Sequence, residues 1–412
     1  MKLDLTDMLY ALSFALDQVE TELLGLDTGH SKHVTFLAVM MGKEAGFRAE
    51  ELRDFAGCCM LHDNALTEYI HEELVSNTNI SLQLSDIITG GGETSMNHKH
   101  CTIGEKNIRL MPFRTDVKNI ILFHHENADG SGAFGMKASD TPLKPQILHL
   151  ADFADMRSCL TDMTSTEFEE LREWVRSKSG TLFSEEAVEL FMKAVSYDDI
   201  VYFQKNGTYD YLQKELSAEF CDYSDEEIHN ISEFFAKIVD NKSRFTQCHS
   251  RGVAEKAEIM AEYYGFDKEK TIRYYFAGAM HDIGKLVISN KILEKPGKLT
   301  ENEFAKMKNH AEATYYILSR IKGIPDIVEW AANHHEKLNG KGYPRKLSGA
   351  EMSFEDQLMA CIDIYQALTE KRPYKDGMSH EKSISIMTDM VNKGELNGKI
   401  VQDIDNVMAA DS

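Results

Sequence analysis

The sequence has no excess of positive charge, no long apolar run and no CxxC motif. Its 412 residues carry a formal net charge of −22, which predicts no DNA binding because nucleic-acid binders normally expose a basic face. No apolar run approaches the ~20 residues that span a bilayer, and the N-terminus lacks the basic start of a signal peptide. The seven scattered cysteines are typical of a reducing compartment. We therefore predict a cytoplasmic protein without membrane insertion.

Proline is also scarce, with seven residues in the chain, and few segments alternate in the way that strands do. Apolar residues instead recur at helical spacing, for example in residues 253–266, 271–285 and 354–370. Apolar helical faces of this kind bury themselves against each other in bundles. We therefore predict an all-α architecture.

Histidine is abundant, and ten of the sixteen histidines form two parallel series. The first series is His30, His62, His100, His124 and His125, and the second is His249, His281, His310, His334 and His335. The first two members are 32 residues apart in both series (62 − 30 and 281 − 249), and the third and fourth are 24 apart in both (124 − 100 and 334 − 310). Aspartates recur in register with them, namely Asp63 and Asp152 in the first series and Asp282 and Asp363 in the second. This order predicts a duplicated domain.

The duplication predicts two tandem helical bundles joined by a helical linker. We place the first domain at residues 1–204, the linker at residues 205–235 and the second domain at residues 236–412. The two copies differ in length between the second and third histidines, where residues 76–100 are rich in Ser, Asn and Gly. We interpret that stretch as a loop insertion.

A histidine and an aspartate at the end of an apolar helix need partners. His281 and Asp282 follow such a helix, and an unpaired buried polar group is costly. A metal ion satisfies an imidazole and a carboxylate together. Two neighbouring ions can each take one of His334 and His335, with Asp282 bridging them. Five imidazoles and two carboxylates suit iron, manganese, zinc or nickel better than calcium.

A metal pair of this kind predicts a phosphohydrolase. Two ions about 3.5–4 Å apart activate a bridging water and bind a phosphoryl group. Lys285 lies four residues after His281, so on a helix its ammonium comes near the same site. Its charge is then placed where negative charge builds on the phosphate oxygens.

The second half resembles the HD-GYP phosphodiesterases, a branch of the HD metal-dependent phosphohydrolases. The matching segments are HSRGVA at 249–254, HDIGK at 281–285, His310, HHEKLNGKGYP at 334–344 and DIYQALTEKRPY at 363–374. The resemblance covers nearly all of residues 236–412. It implies a helical bundle with two or three ions, often iron or manganese, that hydrolyses a 3′–5′ cyclic dinucleotide. Cyclic di-GMP is the most expected substrate and cyclic GMP-AMP the substrate of some members, with a linear dinucleotide or mononucleotides as products.

The resemblance also implies roles for individual residues. The implied metal ligands are His249, His281, Asp282, His310, His334, His335 and Asp363. Asp282 and Lys285 are the implied catalytic residues, with Lys285 on the scissile phosphate. The substrate-side loop is shaped by Gly342, Tyr343 and Pro344.

Two departures from the family pattern bear on the site. Members with three ions carry a glutamate four residues before the first histidine, and here that position is Phe245. We therefore predict two ions in the second domain, with iron or manganese favoured over nickel or zinc. Asn339 stands where many members have aspartate, and it supports the same tight turn.

The first half resembles an HD domain of the same lineage with an altered ending. It keeps a complete set of candidate ligands, namely His30, His62, Asp63, His100, His124, His125 and Asp152. Leu66 replaces the lysine, and Ala133-Phe134 replace Tyr-Pro, so cleavage of a cyclic dinucleotide there should be slow or absent. Three interpretations stay open: a metal-bound regulatory or structural domain, a second phosphohydrolase for a linear product or mononucleotide, and a metal-free relic.

Two other functions compete with the phosphodiesterase. One is a receptor that binds a cyclic dinucleotide without turnover, but a receptor needs neither Lys285 nor an activated water. The other is an HD phosphatase for ordinary nucleotides, against which the GYP loop argues in the second half only. A homodimer stays open. The histidines outside the two series are predicted to be structural or on the surface, namely His33, His71, His98, His149, His229 and His380.

Overall fold

The structure is a computed structural model. It describes residues 1–24, 29–68, 94–216, 219–243, 248–295, 297–371 and 376–409. Helices dominate this part of the chain, which confirms the all-α prediction. Residues 76–93 of the predicted loop insertion lie outside the described residues, as do His71, Phe245 and residues 372–374 of the last motif. The end of the predicted insertion is wrong, because residues 94–100 begin a helix.

The chain forms two compact units. The N-terminal unit is Asp4–Phe220, and the C-terminal unit is Cys221–Ser412 together with Met1–Leu3. The division lies inside the segment predicted as a linker at residues 205–235. That segment is therefore shared between the two units.

A two-stranded pairing, absent from the sequence-based prediction, explains why the first residues join the C-terminal unit. Strand β1 (Lys2–Asp4) pairs with strand β2 (Phe220–Asp222). The amino group of Met1 also donates a hydrogen bond to the carbonyl oxygen of Tyr223 at 2.8 Å. The start of the chain is thus tied to a segment more than two hundred residues away in sequence.

Each unit is a set of packed helices. The N-terminal helices are α1 (Leu5–Leu24), α2 (His30–Glu44), α3 (Ala49–Met60), α4 (Thr94–Ile108), α5 (Leu143–Arg157), α6 (Ser165–Ser177), α7 (Glu185–Ala194) and α8 (Tyr197–Leu216). The C-terminal helices are α9 (Asp225–Asn241), α10 (His249–Tyr263), α11 (Lys268–Met280), α12 (Asn290–Leu293), α13 (Glu301–Leu318), α14 (Pro325–Ala332), α15 (Phe354–Thr369), α16 (His380–Asn392) and α17 (Gly398–Met408). Short 3₁₀ helices occupy Ala138–Asp140 and Ile283–Val287. His30 and His249 each begin a helix, and His100 and His310 each lie within one, as do Asp152 and Asp363, in agreement with the predicted duplication.

Local sequence sets many of the helix starts. Ser353 accepts a hydrogen bond from the backbone N–H of Asp356, and the Asp356 carboxylate accepts one from the N–H of Ser353. Thr300 and Glu303 form the same reciprocal capping box at the start of α13. Such caps contribute about 1 kcal/mol each. They fix the first residues of two helices that carry candidate ligands.

Helices α2 and α10, which begin with His30 and His249, start in the same way in the two units. In the C-terminal unit, Asp240 accepts hydrogen bonds from the backbone N–H of Ser250 at 3.1 Å and from its hydroxyl at 2.7 Å. In the N-terminal unit, Asp17 accepts from the backbone N–H of Ser31 at 3.2 Å and from its hydroxyl. These buried aspartates satisfy free N–H groups at the first turn, and they hold the adjacent histidine in place.

Close packing brings α10 and α11 together in the C-terminal unit. A Cβ added at Gly278 would lie 2.9 Å from Cα of Ala254, so glycine is needed for this approach. Ala257 and Ala279 are also buried along these helices. The contact places the start of α10 beside the end of α11. Among the described residues, no helix is long and apolar enough to cross a membrane.

Candidate metal centre

The seven candidate ligands of the C-terminal unit come from five helices and meet in one place. His249 is the first residue of α10, His281 follows the last residue of α11, and Asp363 lies within α15. His310 lies within α13, and the pair His334 and His335 follows the end of α14. Possible ligand atoms of His249, His281 and Asp363 lie within 4.8 Å of one another, and so do those of His310, His334 and His335.

Asp282 lies between these two groups. Its Oδ2 is 3.2 Å from Nε2 of His281 and 3.6 Å from Nε2 of His249. Its Oδ1 is 3.5 Å from Nε2 of His310 and 3.8 Å from Nε2 of His334. Within the described parts of the chain, Oδ1 accepts no hydrogen bond although it is buried. This is the placement that a carboxylate bridging two ions requires.

Asp363 also faces both groups. Its Oδ1 is 3.1 Å from Nε2 of His249, and its Oδ2 is 3.5 Å from Nδ1 of His335. The side chain is buried, with 7% of its surface exposed. Two carboxylates therefore separate the two groups of imidazoles.

Backbone hydrogen bonds orient three of the rings. Nδ1 of His281 donates to the carbonyl oxygen of Gly278 at 2.7 Å. His310 and His334 donate in the same way, each at 2.6 Å, to the carbonyl three residues earlier. The proton is thereby held on Nδ1, and the lone pair of Nε2 stays free for a ligand.

The donor set fits a pair of divalent transition-metal ions. Nε2 of His310 lies 3.3 Å from Nε2 of His334, and Nε2 of His281 lies 3.3 Å from Nε2 of His249. In the pair of His310 and His334 both Nδ1 atoms carry the proton, so the two neutral rings cannot hydrogen-bond to each other and a shared cation would satisfy both. Imidazole with carboxylate is a donor set of iron, manganese, nickel and zinc.

Burial and charge keep the candidate ligands in the forms that bind metal. Burial lowers the pKa of His335 to about 3. Burial alone would raise the pKa of Asp282, but Lys285 and His281 outweigh it and hold that pKa well below its usual range. His335 is therefore neutral and Asp282 ionised at neutral pH, whereas His249, held by two carboxylates, is the exception among the histidines.

Lys285 lies beside the site, but not on the helical face that the sequence suggests. Helix α11 ends at Met280, and Lys285 belongs to the 3₁₀ helix that follows. Its Nζ lies 2.5 Å from Oδ2 of Asp282. A Cβ at Gly284 would lie 2.0 Å from the carbonyl oxygen of His310, so glycine lets this turn pack against α13.

The GYP loop is held by the glutamate of HHE. The Glu336 carboxylate accepts hydrogen bonds from the backbone N–H groups of Arg345, Lys346 and Leu347, at 2.7, 2.9 and 2.9 Å. A Cβ at Gly342 would lie 2.4 Å from Cα of Glu336, so the loop closes tightly on itself. The sequence-based prediction overlooked this anchor, although the glutamate recurs as Glu126 in the first copy.

The tip of this loop faces the candidate ligands. The ring of Tyr343 lies 4.8 Å from the ring of His335, centroid to centroid, and the following bond to Pro344 is cis. Asn339 accepts a hydrogen bond from the backbone N–H of Lys341 at 3.1 Å, the turn contact expected of an aspartate at that position.

One buried carboxylate behind the site was not predicted. Glu370 accepts a hydrogen bond from Nδ1 of His249 at 2.9 Å. Together with Asp363, it raises the pKa of His249 to about 9 in the absence of a metal, although burial acts in the opposite direction. Glu370 lies seven residues after Asp363, two helical turns away on the same face, and that spacing was the available signal.

The N-terminal unit assembles its own candidate ligands in the same pattern. Asp63 places Oδ2 3.7 Å from Nε2 of His62, and Oδ1 3.7 Å from Nε2 of His100 and 3.9 Å from Nε2 of His124. Nε2 of His30 lies 3.1 Å from Oδ1 of Asp152. Nδ1 of His125 lies 3.9 Å from Oδ2 of Asp152.

In the N-terminal unit a buried carboxylate supports the first histidine, as Glu370 does in the C-terminal unit. Asp155 accepts hydrogen bonds from Nδ1 of His30 at 2.7 Å and from Nδ1 of His33 at 2.8 Å. His33 was predicted to be structural or on the surface. It donates a hydrogen bond to Asp155, the carboxylate that also contacts His30. His149 likewise donates Nδ1 to the carbonyl oxygen of His124 at 2.8 Å.

The two sites differ where a phosphate would lie. Leu66, in the position of Lys285, is buried with 3% exposure, so the N-terminal unit has no ammonium there. Its loop keeps the anchor, since Glu126 accepts from the backbone N–H groups of Phe134 and Met136 at 2.5 and 2.6 Å. Ala133, in the position of Tyr343, provides no ring. The backbone of the loop is held in the same way in both units, whereas the lysine and the tyrosine are replaced by Leu66 and Ala133.

Known proteins of similar sequence and fold can now be compared. Residues 233–400 match the HD domain family. The chain is 28% identical over 407 residues to the 3′3′-cGAMP-specific phosphodiesterase 1 of Vibrio cholerae serotype O1, covering 96% of this chain and 90% of that protein. It is 37% identical over 151 residues to a probable cyclic di-GMP phosphodiesterase of the same organism, covering 34% of each.

A solved structure shares the fold. The crystal structure of a cyclic GMP-AMP-specific phosphodiesterase of Vibrio cholerae matches with a TM-score of 0.66 and 23% identity. The match covers 99% of this chain and 98% of that chain. Residues 233–400 therefore belong to the HD domain family, and the segment HHEKLNGKGYP within them resembles that of the HD-GYP branch.

Proposed function

We propose that the C-terminal unit hydrolyses a 3′–5′ phosphodiester bond of a cyclic dinucleotide with two divalent ions. The observation that carries this proposal is the position of Asp282. Its two oxygens face separate groups of histidines. The ammonium of Lys285 lies 2.5 Å from one of these oxygens, Oδ2. His249, His281 and Asp363 would hold one ion, and His310, His334 and His335 the other, with Asp282 between them.

When bound, such ions lower the pKa of a water and bind phosphoryl oxygens. The chain itself supplies orientation and charge. The Nδ1 hydrogen bonds of the histidines fix their ring positions, and Glu370 does the same for His249. Lys285 would stabilise charge on the phosphate oxygens. Hydrolysis then joins the water oxygen to phosphorus and returns a proton to the departing 3′ oxygen, which opens the ring.

For the native metal we propose iron or manganese, with nickel and zinc as the other candidates. The mixture of imidazole and carboxylate ligands supports this order, because a sulfur ligand that would favour softer metals is not among these seven residues. Two ions match the two groups of ligands on either side of Asp282. Metal analysis of protein purified without oxygen tests both the identity and the number.

For the substrate we propose 3′3′-cGAMP, with cyclic di-GMP as the second candidate. The relative aligned over 96% of the chain is named as specific for 3′3′-cGAMP, whereas the cyclic di-GMP relative aligns over only 34%. This coverage supports proposing cyclic GMP-AMP first, which reverses the order of substrates expected from the sequence. The test is the ratio of kcat/KM values for the two nucleotides in one competition assay, and a ratio in favour of cyclic di-GMP would reverse the assignment.

An aromatic and basic surface beside the GYP loop supports a nucleotide substrate. Nζ of Lys308 lies 5.9 Å from the ring centre of Tyr343 and 5.3 Å from that of Phe304. The Phe304 side chain is 49% exposed, so its ring is accessible to a ligand. We propose that Phe304 and Tyr343 stack against bases while Lys308 binds the second phosphate.

The stacking proposal can be separated from the chemistry of the metal site. Stacking of one base contributes ~1–3 kcal/mol, so Phe304→Ala should raise KM for the dinucleotide about 5- to 150-fold. The small diester methyl p-nitrophenyl phosphate has no base, and its hydrolysis should be unchanged. Tyr316, equally exposed on the same helix at 49%, provides a matched Tyr316→Ala control. Equal effects of the Phe304 change on both substrates would remove this residue from the binding surface.

The experiment that tests the function itself is turnover by metal-loaded protein. The parent chain should convert 3′3′-cGAMP to a linear dinucleotide or mononucleotides, and the His281→Ala/Asp282→Ala variant should not. Unchanged turnover in that variant would show that the site is wrong. Tight binding without turnover by the parent would favour the receptor interpretation.

For the N-terminal unit we propose no cleavage of cyclic dinucleotides. The apolar Leu66 supports this, because it cannot stabilise charge on a phosphate. Three alternatives stay open for its role: a metal-bound regulatory or structural domain, a phosphohydrolase for a linear product or mononucleotide, and a metal-free relic. Incubating the parent and a His62→Ala/Asp63→Ala variant with linear dinucleotide tests the second alternative, since only that one predicts a loss of phosphate release.

A further inference from the structure

The N-terminal site contains a sulfur atom that its C-terminal counterpart lacks. Cys101 directly follows His100 on α4, whereas Ala311 directly follows His310 on α13. Both side chains are completely buried. The two sites otherwise use the same kinds of candidate ligand, so this position is a specific chemical difference between them.

The thiol of Cys101 lies within reach of the neighbouring imidazoles. Its Sγ is 3.7 Å from Nε2 of His100, and it touches the ring of His124 at 3.6 Å on the Nδ1 side, opposite the nitrogen that would bind the ion. Possible ligand atoms of these three residues and of His125 all lie within 4.8 Å of one another. With Zn–N and Zn–S bonds of about 2.0 and 2.3 Å, two ligands of one tetrahedral ion are roughly 3.5 Å apart. The separation of sulfur from the His100 nitrogen is close to that value.

Unpaired nitrogens beside the sulfur point to a missing ligand. Nε2 of His124 and Nδ1 of His125 are buried and have no hydrogen-bond partner in the described parts of the chain. His124 donates its Nδ1 proton to the carbonyl oxygen of Ile121 at 2.6 Å, so Nε2 carries the free lone pair. The residue itself has no exposed surface. Buried polar atoms without a partner are rare, and a cation would satisfy both rings.

We infer that the N-terminal unit binds a thiophilic divalent ion through Cys101, His100, His124 and His125. One sulfur and three nitrogens are a donor set of zinc or iron(II). The cysteine binds as a thiolate, and its proton passes to the solvent. The C-terminal site has only nitrogen and oxygen donors, so the two sites of one chain would prefer different metals.

The competing interpretation is that Cys101 only fills space as a small apolar side chain. Burial does keep a thiol neutral in the metal-free protein, and buried cysteines commonly have no other role. The two interpretations predict different metal spectra, because only a bound thiolate produces sulfur-to-metal charge transfer.

The test uses the full chain, stripped of metal by a chelator and reloaded with cobalt(II). We expect a sulfur-to-cobalt absorption band in the near ultraviolet that is lost in Cys101→Ser and in Cys101→Ala. Cys58→Ser is the matched control, because Cys58 is also completely buried in this unit. The cobalt-loaded Cys58→Ser variant should keep the absorption band of the parent. The C-terminal site does not interfere, since its seven candidate ligands contain no sulfur.

X-ray absorption of the zinc-loaded chain gives the second readout. We expect a sulfur scatterer at about 2.3 Å in the parent and none in Cys101→Ala, with at least tenfold weaker zinc binding in competition with a chelator. Misfolding does not confuse the result, because alanine already occupies the matching position at Ala311 and the metal-free variant should keep the parent's circular dichroism.

Three results would overturn the inference. These are an N-terminal unit that takes up no zinc or cobalt, a bound ion without a sulfur neighbour, and a charge-transfer band that survives Cys101→Ala. In contrast, a new sulfur band after Ala311→Cys would extend the same geometry to the C-terminal unit.

Discussion

Replacing Lys285 with leucine gives the C-terminal unit the side chain that the N-terminal unit carries at Leu66. The ammonium of Lys285 lies 2.5 Å from Asp282, whose side chain is 2% exposed. Leucine removes the positive charge nearest to the proposed phosphate position without introducing a new polar group. The chain already accommodates a buried leucine at the corresponding place.

Two effects of different size should follow from Lys285→Leu. Loss of one donor that stabilises charge on reacting oxygens lowers kcat by about 10²–10³-fold. Loss of the ion pair destabilises the metal-free protein by about 1–3 kcal/mol, a moderate amount because the lysine side chain keeps 18% of its exposure. In the metal-loaded protein the ions neutralise Asp282, so the second effect should largely disappear.

The assay combines steady-state turnover, metal content and thermal unfolding with and without metal. Lys291→Leu is a matched control, because Lys291 is an exposed lysine of the same unit, and its kcat should stay within about twofold of the parent, as expected for a surface change. A kcat within threefold of the parent in Lys285→Leu, with both ions retained, would refute the assigned role. Loss of the ions would instead show that Lys285 acts by stabilising the ligand Asp282.

Three further changes test the support of the site. Gly284→Ala should lower the free energy of unfolding by about 1–3 kcal/mol and weaken metal binding, because its Cβ would lie 2.0 Å from the His310 carbonyl oxygen; unchanged denaturant unfolding contradicts this packing. Glu370→Gln should weaken metal affinity by about 10- to 100-fold, because the His249 ring loses its ionised partner, and competition with a chelator measures it. Removing all metal should lower Tm, since ions present at 100 times their Kd stabilise the folded state by about 2.7 kcal/mol; an unchanged Tm on chelation would mean that no ion is bound.

That the candidate ligands lie together could be predicted from the sequence, because this prediction depends on order and spacing. Histidines that recur at equal intervals, each with its aspartate, keep their place in the helices that carry them. The HD-family resemblance and the all-α fold are both confirmed. The convergence of the ligands follows from the packing of the helices, which small residues such as Gly278 and Gly284 make possible.

The residues that support the ligands could not be read from the motifs. Glu370 and Asp155 lie at different distances from their ligand aspartates, seven residues from Asp363 in one unit and three from Asp152 in the other. Both nevertheless reach Nδ1 of the first histidine in their series. The hydrogen bond from the first histidine to a carboxylate is therefore present in both units, although the acid that accepts it has a different sequence position in each.

The pairing of two strands that are distant in sequence explains why the observed boundary between the units differs from the predicted domain boundary. Helical periodicity shows where helices lie, but it contains no information about which unit they pack in. The pairing of Lys2–Asp4 with Phe220–Asp222 depends on backbone hydrogen bonds, which leave no clear pattern in such short strands. The helical face predicted for Lys285 is wrong, because His281 and Lys285 do not lie on one continuous helix: α11 ends at Met280 and Lys285 belongs to the 3₁₀ helix that follows.

Anomalous diffraction from crystals of the full chain, grown without oxygen in the presence of manganese, tests the central claim most directly. The account predicts two manganese peaks in the C-terminal unit, one on each side of Asp282 and in contact with the two groups of histidines. A single peak, peaks remote from these side chains, or none at all would contradict it.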